Sequence, residues 1–253
     1  MKLDALFVAT HPDDIEITSA GTAIKLVNSG KKVGIIDLTR GELSTRGTLQ
    51  LRQIETERAS EVMCIHYRKN LKLPDGNIQN NLSARIKLIK AIRETKPEIL
   101  FAPFPADRHP DHIDAGNLTR TAAFLSGLRK IKTGSLELHR PRKIYYYRHA
   151  YDFPVSFIVD ISDTFRKKIK ALECYESQFY KQGRNKKTSA GIVSASRKLK
   201  PADEPETYLT SRLFWQDLET RARFFGFKIG VEFGEPFFCY NDIKIDAGAL
   251  FEI

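Results

Sequence analysis

ALFVATHPDD (5–14) and EILFAPFPADRHPDH (98–112) decide how this chain is read. Each opens with a short, nearly continuous apolar run, the signature of a strand buried on both faces, and each then breaks into histidine and aspartate. Outward from the first run, 16–29 reads as a helix closed by Gly30, and VGIIDLT (33–39) reads as a second strand. The alternation continues with a helix near 50–64, a short strand near Leu71, a helix near 82–95, the run at 98–104, and a helix near 112–128. KIYYYRH (143–149) and FIVDIS (157–162) follow as strands.

Strands alternating with amphipathic helices predict a Rossmann-like α/β fold, a mainly parallel sheet with helices on both faces. Beyond Ser162, proposed as an N-cap, SDTFRKKIKALECYESQF predicts one long helix. The polar, basic stretch at about 182–206 predicts a mobile excursion, and a last helix near 211–225 precedes a short β-rich end. No repeat or linker divides the chain, so 1–253 is expected to form a single domain. The turn after the first strand, THPDDIEITSAG, lacks the GxGxxG that cradles a dinucleotide, which argues against a nicotinamide or flavin enzyme.

In doubly wound sheets ligands bind beyond the carboxyl ends of the strands where strand order reverses, normally between the first and fourth. HPDD (11–14) and HPDH (109–112) follow those two strands and should face each other there. Their imidazoles and carboxylates suit zinc and other first-row divalent metals. A catalytic zinc needs three protein ligands and an open position, and His11 and Asp14 with a histidine of the second loop supply that count. Asp13 remains to accept a proton from water. Alone, HPDD also fits a Pro-initiated helix with acids at its positive end; two such clusters in one crevice favour the metal site.

The sequence resembles the PIG-L/LmbE-like N-acetylglucosamine deacetylases, which carry HPDD near the N-terminus and HPDH about a hundred residues on. IIDLTRGELSTRG, LKLPDGNI, DRHPDH, KIYYYRH, FIVDISDT and YESQF resemble the branch that deacetylates N-acetylglucosaminyl malate in bacillithiol biosynthesis. The resemblance implies a zinc-dependent N-deacetylase with His11, Asp14 and His112 as ligands to Zn2+ and Asp13 as general base. Fe2+ is the alternative metal in the cell, since a His/His/Asp site does not choose strongly. It implies His109 as the group that stabilises the oxyanion or protonates the leaving amine, with Asp111 fixing its tautomer and raising its basicity. Glu16 is left outside the ligand set. Arg52, Glu42 and Arg140 are the expected substrate contacts, the arginines suiting the two carboxylates of a malate aglycone. A tyrosine that some relatives place in the site is matched here by Phe214. The relatives form oligomers, so the resemblance also implies a homo-oligomer, with a hexamer as one form.

The formal charge of +10 reads as a solvated basic surface, because its excess lies in 181–200 and in scattered pairs without a nucleic-acid motif. The expected partner is a small amino-sugar conjugate, with no nucleic acid and no membrane. No run approaches the roughly 18 apolar residues of a membrane span, and the N-terminus lacks a signal-peptide pattern, so a cytoplasmic location is expected. Cys64, Cys174 and Cys239, odd in number and without CxxC spacing, are expected to be buried, reduced thiols. His66, His139 and His149 lack ligand-spaced neighbours and receive no role, and Trp215 with Phe214, Phe224, Phe225 and Phe227 reads as a packed helix face. A bacillithiol S-conjugate amidase would use the same catalytic residues; a two-metal phosphoesterase would need more bridging carboxylates.

Overall fold

The structure, a computed structural model, describes residues 1–179 and 204–243. Seven strands form one sheet: β1 (Ala5–Ala9), β2 (Val33–Asp37), β3 (Tyr67–Asn70), β4 (Ile99–Pro103), β5 (Lys143–Tyr147), β6 (Phe157–Asp160) and β7 (Gly234–Phe238). Their order is β3-β2-β1-β4-β5-β7-β6. The first five run parallel, while β7 pairs antiparallel with both β5 and β6. From β1 the chain steps outward through β2 to β3, then returns to lay β4 on the other side of β1. That reversal is the expected switch point, and it lies between the two strands that lead into HPDD and HPDH.

Every residue of β1 is buried, which explains its unbroken apolar run. Leu6 and Val8 meet α4 (Leu82–Thr95) and α5 (Pro110–Leu125) on one face. Ala5, Phe7 and Ala9 meet α2 (Ala20–Asn28), α3 (Leu49–Met63) and α6 (Phe165–Leu172) on the other. Helix α7 (Arg212–Phe227), capped by Ser211, packs beside β7. Among the described residues no helix is long and apolar enough to cross a membrane.

Several expectations change. The helix expected over 16–29 is two, α1 (Asp14–Thr18) and α2, broken at Ser19. The amides of Gly21 and Thr22 donate to the Glu235 carboxylate, so a residue more than two hundred positions away satisfies the new helix start. The short strand expected near Leu71 is present as β3, ending at the residue before it. Helix α6 ends at Leu172, and Ser162 bonds Asp160 instead of capping it. Cys64 is exposed and Cys174 half-buried, leaving only Cys239 buried. Phe224 and Phe227 are exposed rather than packed. Of the 182–206 stretch, 182–203 lie outside the described residues, and Glu204 and Pro205 are fastened to Arg46.

Helix α5 sits hard against the end of β4. A Cβ on Gly116 would stand 2.5 Å from the Pro103 carbonyl oxygen, a backbone atom that cannot swing away. Gly116→Ala is therefore expected to destabilise the protein by about 1–3 kcal/mol, the usual range for overpacking, read as a lower thermal midpoint.

Candidate metal centre

Four loops at the carboxyl edge of the sheet build the site: those after β1, β3, β4 and β5. After β1 the chain turns through Asp13, whose φ of 108° is unusual for a residue with a side chain. Holding that conformation costs on the order of 1–3 kcal/mol and needs outside support. Arg52, reaching in from α3, provides it: its Nη1 donates to the Pro12 carbonyl at 2.7 Å and to Asp13 Oδ2 at 2.8 Å, and its Nη2 donates to Ser44 Oγ. The Asp13 carboxyl is pushed up to about 7, chiefly by burial, with Arg52 opposing and Asp14 reinforcing the rise.

Asp14 opens α1 with its carboxylate turned back over the loop. The amides of Thr10 and His11 donate to Oδ2 at 3.0 and 2.8 Å. Oδ1 points into the crevice, 3.7 Å from His112 Nε2, while His11 Nδ1 stands 3.7 Å from Oδ2. The candidate ligand atoms of His11, Asp14 and His112 all lie within 4.8 Å of one another.

Each imidazole is aimed from behind. His112 Nδ1 lies 2.9 Å from Asp107 Oδ1, and a carboxylate only accepts, so Nδ1 carries the proton and Nε2 presents its lone pair to the crevice. Asp107 also takes the amides of His109 and Ala150, joining the loops after β4 and β5. His11 Nε2 lies 3.0 Å from Asp75 Oδ1, leaving Nδ1 to face Asp14. Although burial works against it, the carboxylates of Asp111, Asp14 and Asp75 hold His11 protonation well above the ordinary imidazole value. Such a cluster attracts a cation, which fits a divalent metal. A second group, His11, His109 and Asp111, also brings its atoms within 4.8 Å, but His11 Nε2, which lies 3.9 Å from Asp111 Oδ2, is already occupied by Asp75.

His109 stands half-buried on the rim, its ring 5.0 Å from that of His11 and 4.9 Å from that of His112. Its Nδ1 accepts the Asp111 backbone amide, which leaves Nε2–H as the donor of the neutral ring. The Asp111 side chain is elsewhere, accepting the amides of Gly76 and Ile78. The tautomer of His109 is thus set by Asp111's backbone and not by its carboxylate. Its basicity is lowered on balance, by burial and by His11 and His112, with the charge of Asp111 pulling the other way as expected.

The expected substrate contacts separate. Arg52 is buried under the HPDD loop as the partner of Asp13. Glu42 lies in the loop after β2, which reaches the site through Leu43 N and Asp75, but its own carboxylate is paired with Arg40. Arg140 precedes β5 and so belongs to the opposite edge of the sheet, where it bonds the Phe124 carbonyl and covers that ring at the end of α5. The side chain cannot serve the site from there. Phe214 is buried with Phe179 and Trp215.

Sequence reading missed Asp75, Asp107 and His149. Asp107 was reachable, five residues before His112 in the same loop; Asp75 and His149 come from other strands and carry no local signal. His149 stacks on His112 with ring centroids 3.9 Å apart. Burial, with His112 adding to it, pushes its imidazole down to about 3.

Residues 6–123 match the family model PIG-L, described as GlcNAc-PI de-N-acetylase. The chain is 32% identical over 189 residues to diacetylchitobiose deacetylase of Thermococcus kodakarensis, covering 69% of each protein. The chain belongs to the PIG-L deacetylase family. A conserved protein from Thermus thermophilus superposes with a TM-score of 0.82 at 32% identity, over 97% of this chain and 98% of that one. N,N'-diacetylchitobiose deacetylase from Pyrococcus horikoshii superposes with a TM-score of 0.76 at 25% identity, over 93% and 82%. Both likenesses extend far beyond the matched first half of the chain.

If Asp107 sets the tautomer of His112, its removal should be felt at the metal. Asp107→Ala is expected to weaken metal binding by about 10–100-fold, as loss of a partner behind a ligating histidine does. Competition with a chromogenic chelator measures it.

Proposed function

We propose that this protein is a zinc-dependent hydrolase that removes the acetyl group from the nitrogen of an N-acetylated amino sugar. The observation that carries the reading is the convergence of His11, Asp14 and His112 on one point beside the buried Asp13. Membership of a family whose relatives are deacetylases supports it.

His11, Asp14 and His112 would hold the metal. When bound, zinc supplies a Lewis acid that polarises the acetyl carbonyl and makes water acidic enough to lose a proton near neutral pH. Asp13 accepts that proton at Oδ1 or Oδ2, with Arg52 holding the carboxylate in place. His109 faces the crevice from the opposite loop and donates a hydrogen bond through Nε2–H to the oxygen that gains charge, while the proton held by Asp13 passes to the departing amine. The products are acetate and the free amino sugar.

N-acetylglucosaminyl malate is the substrate we favour, on the strength of the motifs shared with the bacillithiol branch. Arg52 and Arg140 no longer argue for it, since one is committed to Asp13 and the other lies across the sheet. Diacetylchitobiose, the substrate named for the Thermococcus and Pyrococcus relatives, is the natural comparison. Acetate release from both compounds, before and after chelation, tests the function. Release that chelation abolishes and zinc restores is the expected outcome; no release from zinc-loaded protein with either sugar would overturn it. The ratio of rates on the two compounds decides the aglycone.

A further inference from the structure

His149 enters the site from the end of β5, and its buried Nε2 has no hydrogen-bond partner among the described residues. Leaving a buried polar atom unpaired costs about 1–3 kcal/mol, so a position that keeps one calls for a partner. Asp14 Oδ1 lies 3.9 Å from His149 Nε2. That oxygen faces the crevice and accepts no hydrogen bond among the described residues, whereas Oδ2 accepts two backbone amides. His149 and His112 therefore flank the same oxygen at 3.9 and 3.7 Å, with their rings stacked.

We propose that His149 is a positioning residue of the metal centre, donating from Nε2–H to the metal-facing oxygen of Asp14. The inference rests on the reading of His11, Asp14 and His112 as metal ligands, and adds to it a residue that the three-ligand pattern does not contain. Opposite a carboxylate a neutral imidazole presents its N–H, and a small approach of the two side chains closes the contact. Asp14 is then fixed on both oxygens, from the HPDD loop on one side and from β5 on the other. A hydrogen bond to a ligating carboxylate fixes its orientation and spreads its charge, so affinity and ligand field should both respond to its loss.

Cobalt(II) titration followed by visible absorption, with a competing chelator, reads this without turnover. The protein is expected to bind one cobalt. His149→Phe keeps an aromatic ring against His112 but removes the donor, and should bind cobalt about 10–100-fold more weakly with an altered absorption band. His149→Gln, which can place an amide N–H near the same point, should recover most of both. Wild-type affinity and an unchanged band in His149→Phe would reduce His149 to packing and overturn the proposal. Thermal melts report whether that variant is folded; if it is not, His149→Leu against His149→Gln carries the same comparison. Failure of the unmodified protein to take up cobalt would instead sink the metal reading itself, a result distinct from any difference among the variants.

Discussion

Asp13→Asn is expected to leave the protein folded and metal-loaded yet lower acetate release by about 10²–10⁴-fold, the range that a positioned proton acceptor contributes. The substitution is nearly isosteric, and an amide oxygen can still accept from Arg52 Nη1, so the strained turn at Asp13 keeps its brace. What it loses is the capacity to take a proton. Asp14 is untouched, since its Oδ2 is held by the amides of Thr10 and His11 rather than by its neighbour. Metal content by elemental analysis beside acetate release separates the two roles. Loss of metal in Asp13→Asn would make Asp13 part of the binding site, while full activity with full metal would move the proton acceptor elsewhere, with His109 the next residue to test. Arg52→Gln should show the complementary pattern, because it removes the brace and leaves Asp13 buried without its counter-charge.

The placement of HPDD and HPDH was readable because β1 and β4 are buried on both faces and so appear as unbroken apolar runs that end where the chemistry begins. Neighbouring loops at a switch point follow from chain direction and strand pairing, which local sequence encodes well. What supports the ligands was much less readable. Asp75 and His149 reach the site from the ends of β3 and β5, and their roles exist only once those strands lie in the order β3-β2-β1-β4-β5. Arg140 failed for the same reason in reverse: its chemistry suits a carboxylate, but a residue preceding a parallel strand sits at the edge away from the ligands. The early end of α6 is also a tertiary effect. A continuing helix would not deliver Tyr175 to Glu16 and the backbone and hydroxyl of Ser177 to the buried Glu55, contacts that fix the chain beneath α3.

Glu16 belongs to a second buried charge cluster, and here the largest stability effect is expected. Arg68, on the edge strand β3, turns inward and meets Asp37 through two parallel bonds of 2.9 Å, while its Nη1 donates to Glu16 at 2.6 Å. Neither carboxylate is more than 2% exposed. One guanidinium therefore pairs with two buried acids, and Tyr175 adds a hydroxyl to Glu16. Removing one partner of a buried pair usually costs about 3–5 kcal/mol, because the remaining charge can neither pair nor hydrate. Arg68→Met keeps much of the side-chain volume and should lose at least that much, since it strands two acids. The loss should depend on pH. Burial already raises the Asp37 pKa, with Arg68 pulling against it, so deleting Arg68 raises it further. The folded variant then holds protons that the unfolded chain, with carboxylates near 4, has released. Where the folded state binds more protons, stability falls as pH rises. Arg68→Met should accordingly recover part of its loss at pH 5.5 relative to pH 8, read from urea midpoints against wild type. A deficit that is the same at both pH values would mean that the two acids find other partners, and that the cluster contributes packing rather than charge balance.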